Sequence, residues 1–267
     1  MKKDRQNKSI LKYYKLMEKK KKTLIIIIYI ILVLLIIFSI MYILKELYWK
    51  KEAINEAKII DTIEIDEKKV TKESSKKMLQ VRSLKQENQD IVGFLEIENT
   101  NISYPVVQGK DNEFYMTHNY KKEKSKNGAI FLDKNYDWNI ESNNLLIYGH
   151  NLNNGTMFQE LLKYENEDYY KEHPGILFTT EDEEEKYKII SVFKSKVYNK
   201  QDDVFKYYFF INPKTEEEYN NYIENIKKLS IYNIENTAIY GDKLITLSTC
   251  SYYIKDGRFV VVGVKEK

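Results

Sequence analysis

Apolar positions follow three different rhythms along this chain. Thr23 to Leu44 is an unbroken apolar stretch, dominated by Ile and Leu, without one charge. As a helix it is long enough to cross a hydrocarbon core of roughly 30 Å. It is apolar on every face, unlike a helix packed on one side of a soluble core. Residues 46–90 are polar instead. Ala53, Ile54, Ala57 and Ile60, then Met78, Leu79 and Leu84, recur at roughly helical spacing with no Gly or Pro between. Two arrangements fit this segment: a stalk that lifts the following domain off a membrane, or helices docked on that domain.

From Ile91 the rhythm shortens to strands separated by turn signals. The predicted strands are Val92–Ile97, Ile102–Val107, Ala129–Leu132, Asn144–Tyr148, Ile176–Thr180, Lys186–Val197, Lys243–Thr249 and Phe259–Val264. Turns fall at Glu98–Asn101, Ser125–Gly128 and Lys255–Gly257. About eight strands at this spacing predict a closed or nearly closed barrel, so the fold class is mainly β with added helices. A short helix is expected over Asn112–Thr117. Between Val197 and Lys243 lies an insertion with a helix of its own. Thr215 and Glu218 read as a capping box, and Tyr219, Tyr222, Ile223, Ile226 and Leu229 form one apolar stripe. The stripe is expected to pack on the barrel, and the insertion could wall one side of a groove.

Charge gives the apolar run a direction. Lys2, Lys3, Arg5, Lys8, Lys12, Lys15 and Lys19 to Lys22 precede it, against Asp4 and Glu18. After it the signs mix. The positive-inside rule puts residues 1–22 in the cytoplasm and everything after about residue 45 outside. The run is too long for a signal peptide, no small-residue cleavage site follows, and Tyr48 and Trp49 read as interfacial anchors. The expected organisation is a basic tail at 1–22, a transmembrane helix at 23–44, a stalk or helices at 45–85 and a barrel at 86–267. That is a single-pass membrane protein with its large domain extracellular. The net charge of +3 owes much to the tail, so nucleic acid is not an implied partner.

Cys250 is the only cysteine, delivered by the apolar run Leu244–Thr249. It has no disulfide partner within the chain, so reactivity is the better explanation for it. If Lys243–Thr249 and Phe259–Val264 pair as a hairpin, Arg258 stands across from Cys250, with Cβ atoms ~5 Å apart. Its guanidinium stays charged and can hold a carbonyl and stabilise a developing oxyanion. Of the three histidines, His150 ends an apolar strand beside Gly149 and Asn151, where catalytic groups sit well on a rigid scaffold. His118 is the rival base, and His173 reads as a helix terminus before Pro174. A thiol and an imidazole at their ordinary pKa values, about 8.5 and 6.5, favour the neutral pair over the ion pair by roughly a hundredfold. A slow enzyme is therefore expected. Glu181–Glu185 reads as a solvated acidic turn in preference to a calcium site. No zinc pattern, phosphate loop or Gly-x-Ser-x-Gly elbow is present.

These residues resemble a known family. Thr246-Leu247-Ser248-Thr249-Cys250, Gly149-His150-Asn151 and Gly257-Arg258-Phe259-Val260-Val261 are similar, in order and spacing, to the signatures of the sortases. Those are membrane-anchored cysteine transpeptidases of Gram-positive bacteria. Asn88–Leu95, Tyr104–Gln108, Asp111–Asn112 and Gly128–Asp133 look like class B, as does the helical insertion before the cysteine strand. The resemblance implies an eight-stranded sortase barrel, with Cys250 as nucleophile, His150 as general acid/base and Arg258 as substrate and oxyanion stabiliser. Ser248 and Thr249 are expected substrate-binding residues, and neither metal nor cofactor is implied. The implied reaction cleaves a C-terminal sorting motif at a Thr–x bond through a Cys250 thioester and passes the protein to a peptidoglycan amine. Partners would be secreted proteins bearing the motif, a wall precursor or cross-bridge amine, and membrane lipid around the anchor. Some class B members carry an acid just after the cysteine; Ser251-Tyr252-Tyr253 stands there in this chain. Two other readings share the same residues: a tethered binding domain without catalysis, and a cysteine hydrolase of wall peptides.

Overall fold

The computed structural model describes residues 2–61, 75–140 and 143–267; of 2–15 and 52–61 only the helical backbone is described. The chain divides into two compact units, 1–51 and 52–267. The first is helical. Helix α1, Lys2–Asp61, runs without a break from the basic tail through the apolar run. Within its segment Leu16–Lys51 an 18-residue stretch has a mean hydropathy of 3.5 and no buried residue, and the segment is long and apolar enough to cross a membrane.

The second unit is an eight-stranded closed barrel with helices on its outside, as the strand rhythm predicts. Its strands are β1 (Ile91–Glu96), β2 (Ser103–Val107), β3 (Ile130–Leu132), β4 (Asn144–Gly149), β5 (Gly175–Thr179), β6 (Glu184–Lys196), β7 (Leu244–Cys250) and β8 (Gly257–Lys265). They close in the order β1-β2-β3-β4-β7-β8-β6-β5. Most neighbours are antiparallel, but β2–β3 and β4–β7 are parallel. Parallel strands cannot be joined by a tight turn. The long connection from β4 to β7 therefore carries a short helix α3 (Glu167–Glu172), β5, β6 and the insertion with its own helix.

Helix α2, Lys76–Glu87, is docked, not a free stalk. Ser75 caps it, its hydroxyl accepting from Met78 N at 3.2 Å. Met78, Val81 and Leu84 are buried, the last two in a cluster with Ile91 and Phe94 of β1. The predicted spacing at Ala53, Ile54, Ala57 and Ile60 falls on side chains outside the described ones.

Strands β7 and β8 are buried on both faces, which is why they read as nearly continuous apolar runs. Ile245, Leu247, Phe259 and Val261 fill the barrel interior. Leu244, Val260 and Val262 point outward into a second cluster, against Tyr219, Tyr222, Ile223 and Ile226 of the insertion helix α4, Glu216–Leu229. Burying each of those four large side chains contributes about 1.5–3 kcal/mol at most. Two details of α4 differ from expectation. Leu229 is 42% exposed, at the last residue of the helix, whereas Ile226 one turn earlier is fully buried. Thr215 Oγ1 accepts from Glu218 N at 3.1 Å, but the Glu218 carboxylate reaches Lys214 N at 2.6 Å, one residue before the cap. The helix expected over Asn112–Thr117 is a single 3₁₀ turn, Phe114–Met116, started by the Asp111 carboxylate accepting from Glu113 N and Phe114 N. The acidic stretch after β5 is tied down by cations. Lys85 pairs with Glu181, Arg82 with Asp182, and Lys265 with Glu183 and Glu185.

Candidate active site

Two strand pairings build the site. In the β7–β8 hairpin Cys250 and Arg258 are register partners. The turn between them needs glycine at its end: a Cβ on Gly257 would lie 2.3 Å from the Ser251 carbonyl oxygen. In the parallel β4–β7 pair Gly149 stands beside Thr249, so the next step along each strand is His150 and Cys250. Thr249 Oγ1 donates to the Gly149 carbonyl at 2.8 Å and locks that register. Asn151 Nδ2 then donates to the Cys250 carbonyl at 3.0 Å. The backbone at Cys250 is thus tied to the β4 side by two hydrogen bonds.

Cys250, His150 and Arg258 are all half-buried and line one cavity of about 250 Å³. Arg258 Nη1 donates to the Gly257 carbonyl at 2.9 Å. Among the described residues no carboxylate pairs with it, and a guanidinium has five N–H donors, so donors remain for a bound group. A carbonyl held there would meet a fixed positive charge at low exposure to water.

The cavity walls come from distant parts of the chain. Tyr207, on a 3₁₀ turn of the insertion, shares a 2.7 Å hydrogen bond with Ser248 Oγ. Burial pushes its phenol well above the ordinary range, and the Ser248 bond and the Arg258 charge oppose that only in part. Tyr148 donates to Asp133 at 3.1 Å, and burial, then the Asp133 charge, raises its phenol further. Both phenols stay neutral and serve as hydrogen-bonding walls. Asp133 is 2% exposed and also accepts from Asn112 Nδ2 and from the Asn135 backbone and side chain, at 2.8–2.9 Å. That carboxylate fixes two cavity residues at once. The insertion therefore walls the cavity through its 3₁₀ turn and Val197, while α4 packs behind.

The other predicted residues separate clearly. His118 stacks on Phe114 at 4.1 Å, bonds to the Phe114 carbonyl at 2.9 Å and does not line the cavity. His173 packs on Tyr169 and bonds to the Glu98 carbonyl at 3.0 Å, beside a different cavity. Ser248 and Thr249 lie in the cavity wall, each about 1% exposed, with both hydroxyls already engaged inside the protein. Asn112 and Asp133 enter the sequence reading within class B-like segments, with no site role, and Tyr148 and Tyr207 are not singled out. Tyr148 had a signal, since it lies two residues before His150 on the same strand. Tyr207 had none, because its place depends on the path of the insertion.

A hairpin thiol in register with an arginine, with a histidine following the adjacent parallel strand, is an arrangement that can carry acyl transfer through a thioester on a closed barrel. The comparisons with known proteins agree. The sortase domain model matches residues 95–266. Sortase B of Listeria monocytogenes is 33% identical over 233 residues, covering 85% of this chain and 90% of the relative. The crystal structure of Staphylococcus aureus sortase B superposes with a TM-score of 0.70 at 28% identity, over 81% of this chain and 99% of that one. The substrate complex of the S. aureus protein gives a TM-score of 0.66 at 25% identity, over 84% and 96%. The chain belongs to the sortase family of cysteine transpeptidases, in its class B.

Proposed function

We propose that this protein cleaves a C-terminal sorting motif at a Thr–x bond, holds the product as a Cys250 thioester and passes it to an amine of peptidoglycan. The observation that carries the reading is the convergence of Cys250, His150 and Arg258 on one cavity from adjacent strands. Cys250 is the nucleophile. His150 takes the thiol proton and returns it to the leaving amine. Arg258 steadies the scissile carbonyl and the oxyanion formed from it. Ser248 and Thr249 contribute the floor against which the motif lies, their hydroxyls holding Tyr207 and strand β4 in place. The apolar segment of α1 anchors the chain in the cell membrane, with the basic tail in the cytoplasm and the barrel outside. Clients are secreted proteins with the motif; the acceptor is a precursor or cross-bridge amine of the wall.

The test is peptide turnover. Cys250→Ala and His150→Ala abolish cleavage while circular dichroism is unchanged, and His118→Ala retains most activity. Near-normal cleavage by either of the first two variants would sink the assignment. An added amine is captured as a conjugate by the wild type. Release to water alone, with amine present, would make the protein a hydrolase of wall peptides instead. A Cys250 that a thiol-reactive motif analogue never labels would make it a binding domain.

A further inference from the structure

The two ring nitrogens of His150 are not equivalent. Its Nε2 lies 2.8 Å from the carbonyl oxygen of Met116. A carbonyl oxygen only accepts, so Nε2 carries the hydrogen and donates it. That oxygen is free to accept for a structural reason. Met116 is the last residue of a 3₁₀ turn, where intrahelical partners run out. Among the described residues no backbone amide donates to it, whereas the preceding carbonyl, of Tyr115, accepts from Ala129 N at 2.9 Å.

Gly128 supports the same edge of the ring. Its φ is +61°, in the left-handed region. A Cβ there would lie 2.9 Å from His150 Cδ2, 3.0 Å from Nε2 and 2.7 Å from the Tyr115 oxygen. The Nε2–Cδ2 edge is thus packed against a bare backbone and bonded to a carbonyl. Nδ1 lies on the other edge of the ring and has no hydrogen-bond partner among the described residues. The residue itself lines the catalytic cavity.

We propose that the Met116 carbonyl and Gly128 position His150 as its Nε2–H tautomer and so make Nδ1 the nitrogen that exchanges the proton in catalysis. This rests on the acid–base reading of His150 given above and adds which atom acts and what orients it. In acylation the Cys250 S–H gives its proton to Nδ1 while sulfur bonds the threonine carbonyl carbon. When the C–N bond breaks, Nδ1–H returns that proton to the leaving amine. In transfer the incoming amine gives its proton to Nδ1 as it bonds the thioester carbon, and the departing sulfur takes it back. Nε2–H stays on the Met116 oxygen throughout. While the ring holds both protons, that bond is charge-assisted and stabilises the imidazolium. A nucleophile–base pair works best when a third group orients the base. Here the third group is a backbone carbonyl, that of Met116.

The experiment uses the full chain in detergent with ¹⁵N-labelled histidine. Only three histidines contribute signals, and those of His150 are assigned by their loss in His150→Gln. Long-range ¹H–¹⁵N correlations of the neutral ring show hydrogen on Nε2. Hydrogen on Nδ1 would overturn the inference at once. Gly128→Ala displaces the ring: kcat falls about tenfold or more, KM stays within about twofold, and the single-tautomer pattern is lost. A folded Gly128→Ala protein with wild-type kcat would overturn the positioning role. Should that variant fail to fold, the wild-type ring spectrum still decides the tautomer. Cleavage by His150→Ala would instead defeat the catalytic reading, whereas an inactive His150→Ala together with a wild-type ring protonated on Nδ1 defeats only the present inference.

Discussion

At the scale of single residues, the site depends on shape as much as on charge. Arg258 donates from Nη1 to the Gly257 carbonyl, and among the described residues no carboxylate pairs with it, so the rest of its planar fork remains for a bound group. Arg258→Lys keeps the charge but not the fork, and kcat/KM for motif peptides is expected to fall ~100-fold, the range for losing an oxyanion donor. The loss appears in kcat if the contact belongs to the transition state and in KM if it only positions substrate. A lysine variant with wild-type kinetics would make Arg258 a bystander. A second residue governs acid stability. Glu160 is 5% exposed and accepts from Asn101 N at 2.6 Å and Lys163 Nζ at 2.5 Å. Burial pushes its carboxyl up, but those two bonds and the lysine charge outweigh it and leave the carboxyl below its ordinary 4.5. A lowered carboxyl contributes stability above the unfolded value and loses it as pH falls through the folded one. Glu160→Gln is therefore less stable than wild type at pH 7, and the gap closes as melts are repeated from about pH 4.5 downward. A gap of constant size would show that the Glu160 charge contributes nothing.

At the scale of elements, period decides what can be read. The strands are legible because β7 and β8 bury both faces and so read as apolar runs, while β6 alternates at its start, with Glu185 and Tyr187 buried between exposed Glu184, Lys186 and Lys188. The hairpin that opposes Cys250 and Arg258 is legible because a short turn with Asp256-Gly257 leaves little freedom of register. The parallel neighbour of β7 is not, since no local signal ties Gly149 to Thr249 across the chain. Asp133 and the Met116 carbonyl are hidden for a similar reason: one acts through Asn112 and Tyr148, and the other is backbone, which has no letter in a sequence. The α4 stripe is legible as packing, and its worth can be measured. Ile226 is fully buried against the outer face of β8 and β6. Ile226→Ala is expected to cost about 2–5 kcal/mol in denaturant unfolding, with motif KM little changed because α4 stands behind the cavity wall. A stability loss well under 1 kcal/mol would mean that the insertion adds little to the barrel.

At the scale of the whole molecule, the two units divide the work. The apolar segment of α1 carries no group that the cavity uses, and the unit from 52 to 267 has its own core. A chain beginning at about residue 46 is expected to turn over motif peptides as the full chain does, yet to fail in attaching clients to the wall of living cells. Holding enzyme and client on one membrane raises their effective concentration, which soluble peptide at high concentration replaces. Peptide turnover that needed the apolar helix would show that the helix shapes the site. Within the barrel, Thr249 and Gly149 are hydrogen-bonded across a separation of 100 residues. Such a contact is slow to form, because the intervening chain must be closed before the bond rewards it. It also sets an order of events. β7 and β8 follow the other six strands in the chain, so Cys250 is synthesised after His150 and meets it only when the barrel shuts. A half-made chain carries a sulfur with no histidine beside it, and the pairing of the two exists only in the closed barrel.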